Sequence, residues 1–303
     1  MDETRIHGII PGLPTPLTDD RRVDGPALQK LVRHVVDGGV HGLYLHGSIS
    51  ESVALNPEER REIVQICVDE VAGTIPVMVG IGNNDLRQVV ANAEEAKALG
   101  ADICSLVSPH YFILTEAEAI AFFEQTADYS PLPILIYNNA FSTNLKLSAK
   151  ALVQLSAHPN IIGVKDSTAD FILFQEFYFH LGHQPAWRLI VGDDRLVAAG
   201  LLMGGHGAVV AWANIYPELF VRLYDAARNG DIRTAFDLQK RICVLEKIFE
   251  VQGPATDGAF LSGVKAVLEI IGVGGRQVTA PFERIPDKLM PEIERLLKEC
   301  RDA

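Results

Sequence analysis

What limits the folds open to this chain is a rhythm. Short apolar runs of strand length alternate with stretches of helical spacing, eight times over, and then the strands stop. The runs Ile9–Pro14, Gly42–His46, Pro76–Gly80, Asp102–Val107, Leu132–Tyr137, Asn160–Lys165, Trp187–Val191 and Gly207–Val210 are predicted as strands, short and apolar as buried parallel strands are. Between them, Pro26–Val36 places Leu28, Leu31, Val32 and Val35 at helical spacing and stops at Gly38-Gly39. A helix to Val71 opens on the cap Asn56, with Pro57 at its first position and two acids behind it. Thr115 and Glu118 form a capping box for a helix to Ala127. Asp85–Leu99, Ser148–Ser156, Ala169–Leu181 and Asp193–Met203 fill the remaining gaps, and Pro217–Arg228 follows the eighth strand. Such regular units point to an α/β fold, a (β/α)8 TIM barrel rather than an open doubly wound sheet. The rest of the chain reads as helices only, over Asp231–Val251, Asp257–Ile271 and Pro286–Lys298. The expected division is a barrel over 1–228 and a C-terminal helical extension over 229–303, packed as a single structural unit without a flexible linker.

Composition narrows the function classes. With 303 residues, 22% charged and 48% apolar, the chain is an ordinary globular one. A net charge of −12 argues against nucleic acid or an anionic membrane as partner. The four cysteines, Cys67, Cys104, Cys243 and Cys300, are far apart and form neither a zinc motif nor a disulfide framework. No signal pattern or membrane-length apolar run is present, so a soluble cytoplasmic protein is expected.

The sixth strand ends in Lys165. In a barrel, the carboxyl ends of the strands carry the chemistry. Strict alternation would put Ile161, Gly163 and Lys165 on the face lining the barrel, with Ile162 and Val164 outside. A lysine held among apolar walls is biased toward its free amine, which attacks a ketone to form a Schiff base; a strand-end lysine can also simply snorkel to solvent. The loop Gly47-Ser48-Ile49-Ser50-Glu51 offers a hydroxyl and backbone N–H groups for a carboxylate, or is a plain polar turn. Tyr137 ends the fifth strand as a proton shuttle or as a cap on the core. His110 is a weak acid–base candidate. Glycines at Gly192 and in Gly204-Gly205-His206-Gly207 could cradle a phosphate but fit tight turns better. Asp193 and Asp194 fit helix capping better than metal ligation.

Taken together, Tyr137-Asn138, Thr143, Leu147 and Ile161-x-Gly163-Val164-Lys165-Asp166-Ser167, with the lysine 28 residues after the tyrosine, resemble the pyruvate-dependent class I aldolases. That family includes dihydrodipicolinate synthase, N-acetylneuraminate lyase and 2-keto-3-deoxygluconate aldolase, and the resemblance spans essentially the whole chain. It implies that Lys165 is the Schiff-base nucleophile for pyruvate or another 2-keto acid, and that Tyr137 moves protons. Ser48 would link Tyr137 to Tyr111, a tyrosine contributed by the neighbouring subunit. The N–H groups of Ser48 and Ile49 would hold the keto-acid carboxylate, while Gly192 and Val209 line the pocket. It implies no cofactor and no metal, because a protonated imine is the electron sink, and a homo-oligomer arranged as a dimer of dimers. The chain departs from the family at Ile49 for threonine, Ser50 for glycine, Ala140 for proline and His110 for an aromatic residue. Ser142 stands where dihydrodipicolinate synthases carry an arginine, and Arg195 where N-acetylneuraminate lyases carry a glutamate. The expected reaction is cleavage or formation of a 2-keto-3-deoxy sugar acid, its aldehyde half meeting Ser142, Ser167 and Arg195. The synthase, a dehydratase or deaminase of the same family, a keto-acid-binding barrel without turnover and a phosphate-sugar barrel enzyme are the alternatives.

Overall fold

The computed structural model describes residues 6–254 and 256–302. Eight strands, β1 (Gly8–Pro11), β2 (Leu43–Leu45), β3 (Val77–Gly80), β4 (Ile103–Val107), β5 (Ile134–Asn138), β6 (Ile161–Asp166), β7 (Arg188–Val191) and β8 (Gly207–Val210), pair in parallel in chain order, and β8 returns to β1. The barrel closes between β1 and β2, where Gly12 bridges Tyr44 and the Leu13 N–H reaches the Tyr44 carbonyl at 2.9 Å. Helices α1 (Gly25–Asp37), α2 (Pro57–Val71), α3 (Leu86–Ala98) and α4 (Glu116–Tyr129) follow the first four strands. A one-turn α5 (Ala140–Thr143), which the sequence pattern does not announce, precedes α6 (Ala149–Leu155). Then come α7 (Phe171–Leu181), α8 (Val197–Met203) and α9 (Pro217–Arg228). Thr115 with Glu118 forms the expected reciprocal capping box, and the cap at Asn56 is one as well, closed by Glu59. The extension is α10 (Ile232–Glu246), α11 (Asp257–Ile270) and α12 (Met290–Asp302), with α10 lying against α8 and α9. Among the described residues no helix is long and apolar enough to cross a membrane.

Two apolar layers form. Ile10, Tyr44, Met78, Ile103, Leu135, Ile162, Ile190 and Val209 fill the barrel interior. The alternate residues, with the inner faces of the helices, make the larger outer layer. Here one expectation needs correction. Ile162 points inward and Ile161 outward, the reverse of strict alternation, although Lys165 still faces in and Val164 out. The cause is a bulge: Ile134 pairs with Ile161 but Leu135 pairs with Gly163, so one extra residue shifts the parity of β6 before the lysine. Gly163 makes the bulge possible, since a Cβ there would lie 2.2 Å from the Arg188 carbonyl oxygen.

The two glycine motifs part ways. Gly204 ends α8 with φ of 116°, and His206 Nδ1 accepts the Leu189 N–H at 3.1 Å, so Gly204–Gly207 is a turn at the amino end of β8, away from the cavity. Gly192 lies at the carboxyl end of β7 and lines it.

Candidate active site

At the carboxyl ends of the strands lies a cavity of about 390 Å³. Ser48, Ile49, Tyr137, Ser142, Lys165, Ser167, Gly192, Arg195 and Val209 all line it. A second chamber of about 250 Å³ adjoins it, sharing Ser48, Tyr137, Asn139 and Ser142. Tyr111 is the one predicted site residue that the chain's own fold leaves outside. It stands 79% exposed on the loop after β4, its ring edge-on to Phe112.

Register brings Lys165 beside Tyr137 on adjacent strands. The lysine is 6% exposed, and its Nζ sits 3.9 Å from the Tyr137 ring centroid and 4.9 Å from that of Tyr44. The two phenols are pushed apart. Burial, reinforced by Tyr137, raises the Tyr44 phenol well above its ordinary value. Burial would raise Tyr137 as well, but the charge of Lys165 and hydrogen bonding with Ser48, Ser167 and Lys165 outweigh it and hold that phenol below the ordinary value. The two phenols therefore differ in how readily each gives up its proton. Tyr44 went unnoticed in the sequence, although alternation along β2, with Leu43 and Leu45 outward, points it into the barrel.

The strand ends are held rigidly. Asn138 Nδ2 donates to Asp166 Oδ1 at 2.8 Å, and Asn138 Oδ1 accepts the Leu147 N–H at 3.1 Å. Burial raises the Asp166 carboxyl to about 6, against the pull of its Thr168 and Asn138 hydrogen bonds. Asn138 is therefore a brace outside the barrel. The next residue, Asn139, turns its amide into the cavity: Nδ2 donates to the Tyr137 hydroxyl at 3.2 Å and to Ser142 Oγ at 2.9 Å. Ser167 Oγ donates to the Gly192 carbonyl at 2.9 Å, and a Cβ on residue 192 would fall 2.0 Å from that hydroxyl.

After β2 the chain makes a short 3-10 turn over Ser48–Ser50. The N–H groups of Ser50 and Glu51 turn back onto the carbonyls of Gly47 and Ser48, so those of Ser48 and Ile49 stand at the open start of the turn. Ser50 takes no left-handed conformation; its hydroxyl donates to the Leu13 carbonyl at 2.7 Å, and Glu51 carries the positive φ of 56° instead. Glu51 is buried, accepts the Thr279 N–H and hydroxyl at 2.6 and 2.8 Å, and forms an ion pair with Lys265 of α11, in which neither side chain touches solvent. Burial lowers Lys265 against the opposing charge of Glu51.

The far wall is acidic. Asp193 caps the turn after β7, accepting the Arg195 N–H at 2.9 Å and clamping the guanidinium through Nε and Nη2 at 3.0 and 2.6 Å. Asp194 is no cap: its oxygens accept the Ala211 and Trp212 N–H groups at 3.1 and 3.0 Å, and burial raises its carboxyl to about 6. Glu246, at the end of α10, accepts the Trp212 Nε1–H at 2.8 Å. Burial, with Asp194 nearby, pushes its carboxyl up to about 8. Nothing in the local sequence signals Glu246, because it arrives from the extension. Among the described residues no group of three or more His, Cys, Asp or Glu side chains could hold a metal ion.

Comparison with known proteins gives the family. Residues 5–300 match the model of the dihydrodipicolinate synthetase family. The chain is 33% identical over 304 residues to a 4-hydroxy-tetrahydrodipicolinate synthase of Phenylobacterium zucineum, covering 100% of this chain and 99% of that protein. YagE of Escherichia coli, whose name assigns it provisionally as a 2-dehydro-3-deoxy-D-gluconate aldolase, is 30% identical over 301 residues, 97% of each protein. The structure of YagE in complex with pyruvate matches with a TM-score of 0.91 over 98% of this chain and 99% of that one, at 28% identity. A dihydrodipicolinate synthase from Bacteroides thetaiotaomicron matches with a TM-score of 0.92 at 32% identity, covering 97% and 98%.

Proposed function

Because this chain belongs to the dihydrodipicolinate synthetase family, a family of lyases and aldolases, we propose that it is a Schiff-base lyase acting on a 2-keto-3-deoxy sugar acid, with pyruvate as one fragment. The observation that carries the reading is Lys165, buried at the carboxyl end of β6 with its Nζ 3.9 Å from the Tyr137 ring.

The amine of Lys165 attacks the C2 ketone, and the carbinolamine loses water to leave an iminium. The N–H groups of Ser48 and Ile49 hold the neighbouring carboxylate. In the cleavage direction the C4 hydroxyl gives its proton to the Tyr137 oxygen, the C3–C4 bond breaks, and its electron pair moves into the iminium. The aldehyde leaves; the enamine takes a proton at C3, and water releases pyruvate and restores the lysine. Ser142, Ser167 and Arg195 meet the aldehyde half. An arginine already clamped by Asp193, beside the carboxyl of Glu246, suits hydroxyl groups better than a second carboxylate.

The names of the relatives favour a second reading, 4-hydroxy-tetrahydrodipicolinate synthesis. Ser142 argues against it: losing a charge-assisted bidentate contact to the aldehyde substrate's carboxylate costs about 2–4 kcal/mol. A dehydratase or deaminase would share every step as far as the iminium, whereas a binding barrel would release no pyruvate.

Tyr111, Phe112 and Ile113 are consecutive exposed apolar residues, directly after His110, which lines the second chamber. A second copy covering them would bring Tyr111 toward the partner's site, and Ile172 and Phe179, exposed on α7, offer a second contact for a dimer of dimers. The first test is to treat the protein with pyruvate and sodium borohydride and weigh it intact beside Lys165→Ala. An adduct on the wild type alone supports the reading; no adduct on the folded wild type, or an equal one on the variant, ends it. Supplying keto-deoxy acids, and aspartate semialdehyde with pyruvate, then separates lyase from synthase.

A further inference from the structure

The two neighbouring asparagines at the end of β5 have the same chemistry and opposite surroundings. Asn138 spends its amide on Asp166 and Leu147 outside the barrel. Asn139 is 6% exposed, lines both chambers, and commits one amide hydrogen to the Tyr137 oxygen and the other to Ser142 Oγ. A carboxamide nitrogen donates and cannot accept. A donor aimed at a phenol oxygen stabilises its lone pairs, and so favours the form that has given up its proton. Lys165 lies against the same ring and favours that form as well.

We propose that Asn139 is the positioning residue for proton transfer: its side-chain N–H holds the Tyr137 oxygen ready to accept a proton and, with its other hydrogen, fixes Ser142 toward the aldehyde half. This rests on the Schiff-base reading. It gives Asn139 no bond to make or break; it acts through Tyr137. Two substitutions of nearly equal shape separate this from a packing role. Asn139→Leu removes the donor, and Asn139→Asp replaces it with a negative acceptor.

The experiment needs only pyruvate. In heavy water the lysine imine gives a C3 proton to the Tyr137 oxygen, the C–H electron pair moves into the new enamine, and a deuteron returns to C3. Loss of the methyl proton signal, followed across pH, reads how readily Tyr137 accepts. The rise of exchange rate with pH should move upward by about one pH unit in Asn139→Leu and further in Asn139→Asp. Below the midpoint the rate should fall about tenfold per unit of displacement. An unmoved midpoint in both variants overturns the proposal, as does a uniform loss of rate without displacement. Asn139→Leu carries the test should the aspartate variant not fold. Borohydride trapping on the same samples keeps the two ideas apart. Adducts on all three proteins leave the Schiff base standing whatever Asn139 does; their loss in the variants alone assigns Asn139 to pyruvate binding and overturns its role at Tyr137. No adduct on the wild type overturns both.

Discussion

At one end of the cavity Lys165, Tyr137 and the Ser48 turn hang from the ends of β6, β5 and β2, each fixed by pairing to its neighbours. At the other end Asp193 and Arg195 follow β7, but the wall is completed by Glu246, from a helix outside the barrel. The first end is aromatic and held by strand pairing, and on the proposed reading it takes the one piece common to all substrates. The second is charged and half open, with the Arg195 side chain 54% exposed. Chemistry common to the reaction needs fixed geometry, and the wall that chooses among substrates can be rebuilt from loops and appended helices without disturbing it.

The largest effect that would sharpen this contrast is at Tyr137. Tyr137→Phe keeps the ring against Lys165 and loses the proton carrier. Pyruvate should still be trapped by borohydride, while carbon–carbon cleavage slows by about 10²–10⁴-fold. Measuring trapping and single-turnover cleavage on one preparation checks this; equal loss of both would mean that the phenol serves imine formation instead.

Lys265 tests whether the keto-acid end is as self-contained as it looks. Glu51 ends the Ser48 turn, and its charge is balanced by a lysine of the extension with no solvent contact. Lys265→Met leaves a buried carboxylate with only the Thr279 donors, and a loss of about 3–5 kcal/mol in urea unfolding is expected. Adding Glu51→Gln should recover part of it. If the single variant keeps full stability, the turn does not lean on the extension. If it stays folded but traps no pyruvate, the extension shapes both ends of the cavity and the contrast weakens.

These residues also mark how far the sequence can be read. Eight strands, their helices, the cap at Asn56 and the capping box at Thr115 are local patterns, and they appear where the spacing puts them. Lys165 and Tyr137 stand near the ends of short strands, a position that leaves a snorkelling lysine and a capping tyrosine open, and it is the family resemblance that implies their roles. The bulge at Gly163 was not legible, because alternation carries no sign of an inserted residue; the lysine still faced inward because an even number of positions separates it from Gly163, which shares the inner side. Asn139 stood next to a recognised motif, and only the direction of its side chain gives it a task. Glu246 lies 34 residues beyond the Trp212 it holds, and Lys265 is 265 − 51 = 214 residues from Glu51; nothing in their own neighbourhoods marks either.

A smaller effect is expected at Asp193. Asp193→Asn keeps the cap on the turn but releases the guanidinium from a charged bidentate clamp. The KM for the sugar-acid substrate should change by about 3–10-fold, and a keto acid ending in a second carboxylate should gain on it. Pyruvate trapping should not change. Parallel changes in both would mean that the two ends are not separable.

The smallest effect reads the acidic wall without any substrate. The Glu246 carboxyl is raised by burial and by Asp194 from its ordinary 4.5 to about 8, with Asp193 also raising it and Trp212 and Arg195 lowering it. Between those two pH values the folded chain holds a proton that the unfolded chain has released, so stability falls as pH rises from about 4.5 to 8. Asp194, raised to about 6, slopes the same way over a narrower range. His46 and His206, lowered by burial to about 4, slope the opposite way: unfolding takes up protons below pH 6.5, and stability falls on acidification. Glu246→Gln removes only the first of these slopes while keeping a neutral partner for Trp212. Denaturation midpoints of variant and wild type should therefore run parallel below pH 4.5 and diverge up to about pH 8, the variant losing less. Curves parallel throughout would mean that Glu246 ionises as freely in the fold as outside it, and the far wall would then meet substrate with a full negative charge in place of a neutral acid.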